Sequence, residues 1–182
     1  MTATHGVPLA GGRPLRSALY GDLAWRRPGP FRREMQLEAG SEVLATLRWE
    51  KLFSFEATAE SADGRWTIGR HRTGSLLGQL VVRDAATGAQ VAVFERTWRG
   101  TGSVQFADGS RYRWERDGFW RPSHFWTTDG ERGLLKYQFV FGFMPRIAME
   151  VDPAAREVSE LPVLVLLGAY ILAAASRQRH AH

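Results

Sequence analysis

From about Phe31 onward, apolar and polar residues alternate with a period of two. Glu42-Val43-Leu44-Ala45-Thr46-Leu47-Arg48-Trp49 opens the series, and Ser54–Glu60 repeats the alternation. Asp63-Gly64 then stands where a two-residue hairpin turn needs positive φ, and Arg65–Arg70 alternates again. The same strand–turn–strand unit recurs as Leu80–Arg83 with Gln90–Arg96 around Thr87-Gly88, and as Ser103–Phe106 with Arg111–Arg116 around Asp108-Gly109. His124–Thr127 and Leu134–Val140 flank Asp129-Gly130, and Arg146–Val151 closes the series before Asp152-Pro153. Turns at intervals of roughly ten residues predict a meander of short antiparallel strands, a barrel or a sandwich. Half of each strand is apolar and half is Arg, Glu, Gln or Thr, so one face of the sheet meets a core and the other meets water.

The last apolar stretch breaks this rhythm. Leu161 to Ala175 holds no charge, and its strongest hydrogen-bonding group is the Tyr170 hydroxyl. Ser159 and Glu160 precede it as a cap and first-turn acid, and Arg177 and Arg179 follow where a helix dipole favours cations. The segment predicts a helix over about 159–176 that is apolar on every side, and such a helix must be surrounded. A bilayer of roughly 30 Å needs about 20 apolar residues, and this run reaches only about 22 Å. A closed sheet of about eleven or twelve strands is wide enough to need a plug. The reading favoured here is a mainly β, closed antiparallel barrel around a central C-terminal helix. Leu161, Val163, Leu164, Val165, Leu166, Leu167, Tyr170, Ile171 and Leu172 form the axial core.

Charge is unevenly spread. The chain of 182 residues has a net charge of +5. Residues 1–33 carry six arginines against Asp22 alone, and Arg177 and Arg179 lie in a basic tail over 177–182. The stretch between the two ends is slightly acidic. Residues 1–30, rich in Gly, Pro and Arg, read as a basic arm with room for a short helix around Leu15–Trp25. The barrel is expected over 31–176. A nucleic-acid-binding domain carries its excess charge on the folded face, so no nucleic-acid partner is expected. Basic ends fit an anionic membrane surface better. No apolar run of signal-peptide length follows the start, which points to a cytoplasmic protein, peripheral to a membrane. The absence of cysteine from the sequence removes disulfides, thiolate zinc sites and a cysteine nucleophile.

About a dozen antiparallel strands, many joined by Asp-Gly turns, followed by one uncharged C-terminal helix, resemble the tubby C-terminal-domain superfamily. That superfamily also takes in the LURP-one-related proteins and the phospholipid scramblases. The likeness covers about residues 31–176 and lies in order and pattern rather than in a residue signature. It implies a twelve-stranded barrel wrapping a hydrophobic helix. As a class of function, it implies engagement of membrane phospholipids or phosphoinositides.

Two clusters are candidate contact surfaces. Trp25, Arg26, Arg27, Arg32 and Arg33 place cations beside an aromatic ring, where phosphate headgroups attract each cation by roughly 1 kcal/mol. Arg111, Arg113, Arg116, Trp120 and Arg121 interleave with further aromatics, which suits base stacking or a membrane interface, but the alternation of Arg111 and Arg113 with Tyr112 and Trp114 favours a half-buried strand. The five histidines form no i, i+4 pair. No nucleophile elbow or phosphate loop is present, so no catalytic site, metal or cofactor is expected. The expectation is a non-enzymatic, phospholipid-associated or scaffolding module. A tail-anchored membrane protein and a barrel carrying a small apolar ligand in its lumen remain as rivals. Oligomeric state is left open.

Overall fold

A computed structural model describes residues 12–29, 32–50, 55–71, 78–118, 122–129, 133–142 and 145–179. Twelve strands form a closed barrel in which each strand pairs antiparallel with its chain neighbours. They are β1 (Leu23–Arg26), β2 (Glu34–Ala39), β3 (Glu42–Trp49), β4 (Ala57–Ser61), β5 (Gly64–His71) and β6 (Gln79–Asp84). The second half runs β7 (Gln90–Arg96), β8 (Gly102–Phe106), β9 (Arg111–Asp117), β10 (Ser123–Thr127), β11 (Gly133–Val140) and β12 (Arg146–Val151). The period-two pattern is realised in register. Trp66, Ile68, Val82, Ala92, Phe94, Val104 and Trp114 face inward and are buried, while Arg65, Arg83, Gln105, Arg111 and Arg113 face out. Irregular register between Leu37 and Glu38, Val82 and Arg83, and Trp126 and Thr127 marks bulges, which bend strands toward closure.

The arm expected over residues 1–30 is corrected by β1. Leu23 and Trp25 lie opposite Met149 and Ile147 of β12 on one side, and opposite Ala39 and Leu37 of β2 on the other. This short strand is what shuts the sheet. It follows α1 (Leu15–Ala18), whose Leu15 and Ala18 are buried and whose Leu15 N–H donates to Asp63 Oδ2 at 2.9 Å. The helix thus spans fewer residues than the Leu15–Trp25 expectation. The physical reason is the inward pair Leu23 and Trp25, which a strand buries and a helix would place on different sides.

After β12 a 3₁₀ turn, η1 (Pro153–Glu157), leads into α2 (Leu161–Arg179). Asp152 caps η1 by accepting from Ala154 N–H at 2.8 Å. Helix α2 runs along the barrel axis. Leu161 and Val163 to Ala173 are all buried, with no exposed stripe among them. An eight-residue strand is about 26 Å long, and a tilt of about 40° leaves about 20 Å along the axis. Leu161–Ala173 rises about 20 Å, so the buried stretch matches the height of its sleeve.

For an apolar helix in an apolar sleeve, hydrophobic burial alone discriminates weakly between rotations. Polar pins sharpen the choice. Trp126 Nε1–H of β10 donates to the Leu164 carbonyl at 2.9 Å, and the Tyr137 hydroxyl of β11 donates to the carbonyls of Leu164 and Val165 at 3.1 and 3.2 Å. From the other side, the Tyr170 hydroxyl donates to the Phe55 carbonyl, and its ring stacks on Trp49 of β3. At the helix entry, the Tyr112 hydroxyl donates to Glu160 Oε2 at 3.0 Å. Burial pushes the Tyr137 hydroxyl well above its ordinary pKa, so it stays protonated and remains a donor.

Gly168 makes the first pair possible. A Cβ there would stand 2.6 Å from the Tyr137 ring and hydroxyl and 2.9 Å from Trp126 Nε1. Gly168→Ala should therefore lose about 1–3 kcal/mol to overpacking, even though alanine favours the helix by about 1 kcal/mol. Its melting temperature should fall by several degrees, and a variant that melts higher would contradict the notch. Tyr137→Phe leaves the packing and removes the donor, at an expected cost of about 0.5–1.5 kcal/mol in denaturant titration.

Candidate functional site

In an antiparallel meander, successive connections fall alternately at the two ends of the barrel. The β2–β3, β4–β5, β6–β7, β8–β9 and β10–β11 turns share one end with the start of α2. The β1–β2, β3–β4, β5–β6, β7–β8, β9–β10 and β11–β12 connections share the other, where α2 finishes. This parity sorts charge.

The first end is acidic and covered. Asp22, Glu42, Asp63, Asp84, Asp108, Asp129, Asp152, Glu157 and Glu160 lie there. Many are turn formers whose side chains bind local N–H groups. Asp84 accepts from Ala86 and Thr87, and Asp108 accepts from Ser110 N–H at 2.8 Å, beside Gly109 at φ 94°. Helix α1 and η1 pack on each other across this end, and α1 touches α2. Arg156 ties them by donating to the Leu19 carbonyl at 2.9 Å, with its guanidinium 4.0 Å above the Tyr20 ring. Arg13 bridges Glu42 at 2.6 Å.

Among the described residues, the second end is basic around the helix exit. Arg27, Arg32 and Arg33 are exposed on the β1–β2 connection. Arg70, Arg96 and Arg116 sit at the ends of β5, β7 and β9 with the inward parity of Ile68, Phe94 and Trp114, so they ring the rim rather than coat the outer wall. Arg99 and Arg146 stand on the β7–β8 connection and at the start of β12. Among the described residues none of these arginines has a carboxylate partner within ion-pair distance. Among the described residues, Glu50, Glu56, Glu95 and Asp117 lie on the same side, fewer than the cations. A helix C-terminus carries partial negative charge, which is one reason the fold tolerates this crowding. Beside α2 at this rim, Arg70, Arg96, Leu80, Phe94 and Tyr170 border a space of about 30 Å³, room for a water molecule.

The predicted surface residues separate. Trp25 faces the core and is fully buried, because β1 needs an inward aromatic opposite Leu37, so it cannot meet a headgroup. Arg26 is outward but bridged to Glu38 at 3.3 Å. Arg27, Arg32 and Arg33 are exposed on the β1–β2 connection, at the basic end. Arg111 and Arg113 are on the outer wall instead, held by Gln105 at 3.3 Å and Glu115 at 3.2 Å respectively. Only Arg116 of that strand reaches the rim. Trp120 and Arg121 lie outside the described residues. The residues that sequence reasoning missed are Arg70, Arg96, Arg99 and Arg146; counting turns by parity would have grouped them.

His71 ends β5, exposed, and His124 stacks on Trp114 with ring centroids 5.5 Å apart. Among the described residues no three acidic or histidine side chains stand close enough to hold a metal ion. None of the described helices is long and apolar enough to cross a membrane. Comparison with family models, curated proteins and solved structures gives no match.

The acidic end makes a pH prediction. Hydrogen bonds from Thr87 and Ser110 hold the Asp84 and Asp108 carboxyls below their ordinary 3.8. A depressed folded-state pKa contributes stability that is present above the unfolded value and lost as pH falls through the folded one. Melting temperature should therefore hold from pH 7 to 5 and drop below about pH 4. Asp84→Ala with Asp108→Ala should melt lower at pH 7 and show a shallower acid limb; an unchanged limb would contradict the assignment.

Proposed function

We propose that this chain is a non-enzymatic phospholipid-binding module of the tubby-like kind, and that the basic rim at the helix exit is what meets anionic headgroups. One observation carries this reading. Among the described residues, arginines without a carboxylate partner are gathered at one end of a barrel whose other end is acidic and covered. Kinship with the tubby-like superfamily is supported by the order of twelve meander strands followed by a central apolar helix. Fold likeness alone does not give a function, so the rim is the argument.

The rivals lose their physical basis. A tail anchor needs Leu161–Ala175 in lipid, and the barrel already surrounds most of that stretch. A lumen carrier needs an empty axis, and α2 fills it. A closed barrel also has no free strand edge among its pairings, so a partner cannot join by strand addition.

Each cation near an anionic surface contributes about 1 kcal/mol, so the rim supports reversible, salt-sensitive adhesion rather than permanent anchoring. Full-length protein should sediment with vesicles containing phosphatidylserine and not with phosphatidylcholine vesicles. Salt at about 0.5 M should release it, since the Debye length shrinks from about 8 Å at physiological ionic strength. Arg27→Gln with Arg32→Gln should weaken binding about ten- to thirty-fold. Equal binding to both vesicle types would overturn the proposal.

A further inference from the structure

Among the described residues, the large apolar side chains left exposed are Tyr20, Phe55, Trp98 and Phe141. Scattered exposed aromatics are ordinary on a protein surface. Their placement here is not scattered. Tyr20 belongs to the covered acidic end, under the Arg156 guanidinium. Phe55, Trp98 and Phe141 all stand on connections at the basic end, in β3–β4, β7–β8 and β11–β12. Trp98 is 77% exposed and Phe141 78%.

Each of these rings has a neighbour at the same end. The Arg99 guanidinium lies 4.7 Å from the Trp98 ring centre, and that of Arg70 lies 4.1 Å from that of Phe55. Phe141 stacks on Phe139, centroids 6.3 Å apart, at the end of β11. Amphipathic or apolar rings beside cations are what the boundary between headgroups and acyl chains favours. A purely electrostatic contact would need the arginines and leave the rings unexplained.

Resting on the headgroup reading above, we infer that the barrel docks end-on to an anionic bilayer. Trp98 and Phe141 enter the interface, the rim arginines meet phosphates, and the axis of α2 stands along the membrane normal. The acidic end then points away from the surface, which removes its repulsion from anionic lipid. Side-on docking would bring the outer wall, with its paired Lys136–Glu150 and Arg113–Glu115, against the lipid and would leave both rings in water.

The chain has no cysteine, so single labels can be placed cleanly. Gly142→Cys sits beside Phe141, with nothing within 4 Å of the added Cβ. Ser41→Cys sits on the β2–β3 turn at the far end. Each carries an environment-sensitive NBD label and meets vesicles of phosphatidylserine and phosphatidylcholine. The label at 142 should shift to the blue and be quenched by lipids brominated on their acyl chains, and the label at 41 should do neither. In unlabelled protein, Trp98→Ala with Phe141→Ala should weaken vesicle binding about tenfold while leaving the melting temperature unchanged. Sedimentation with no change at 142, or with a shift at 41, would overturn end-on docking while the headgroup reading stands. Undiminished binding by the double-alanine protein would do the same. Failure of the unlabelled wild type to sediment with anionic vesicles would sink both.

Discussion

The structure hangs on the Leu164 carbonyl. A helix that is apolar on every side gains its stability from burial, at about 1.5–3 kcal/mol for each enclosed Leu, Val or Ile, but burial alone says little about its rotation. Trp126 and Tyr137 specify it by donating to one spot on the helix backbone, through the gap that Gly168 leaves. The Tyr170 hydroxyl at the far side and the Tyr112–Glu160 bond at the entry fix the same register from other directions. The strands in turn need the helix, because a sheet of this width cannot fill its own interior with side chains.

Once the helix is seated, the two ends of the barrel acquire different characters. Its N-terminal end is reached through η1 and lies under α1, so that end is built over. Its C-terminal end leaves the barrel among arginines. Strand parity does the rest, because every second connection belongs to the same end. The Asp63-Gly64 and Asp108-Gly109 turns fall at one pole, and Arg32, Arg70, Arg96, Arg99 and Arg116 collect at the other. The charge asymmetry here is a property of alternation along the chain rather than of any local motif.

That explains what could be read from the sequence. The strands, the hairpins and the buried helix were legible because period-two alternation and an uncharged run are local signals. Trp25 was misplaced because β1 is only four residues long, follows a Gly/Pro-rich stretch, and borrows its pairing from β2 and from β12 at the far end of the chain. The rim was half visible. Arg27, Arg32 and Arg33 stood out as a run, whereas Arg70, Arg96 and Arg146 are isolated in sequence and share one end only when the sheet closes. Arg111 and Arg113 looked equivalent to Arg116, but Gln105 and Glu115 engage them on the outer wall. The pins on Leu164 were hidden, since nothing in a single chain of letters says which indole and which phenol will find one carbonyl.

Amide hydrogen exchange of α2 in detergent-free buffer probes this arrangement most directly. If the helix is held inside a closed sleeve, the amides from Val165 to Ala173 should exchange only when the whole barrel unfolds, with the same free energy as the amides of β10 and β11. Exchange of that stretch through openings much cheaper than global unfolding, while the strands stay protected, would mean that the helix is not seated there.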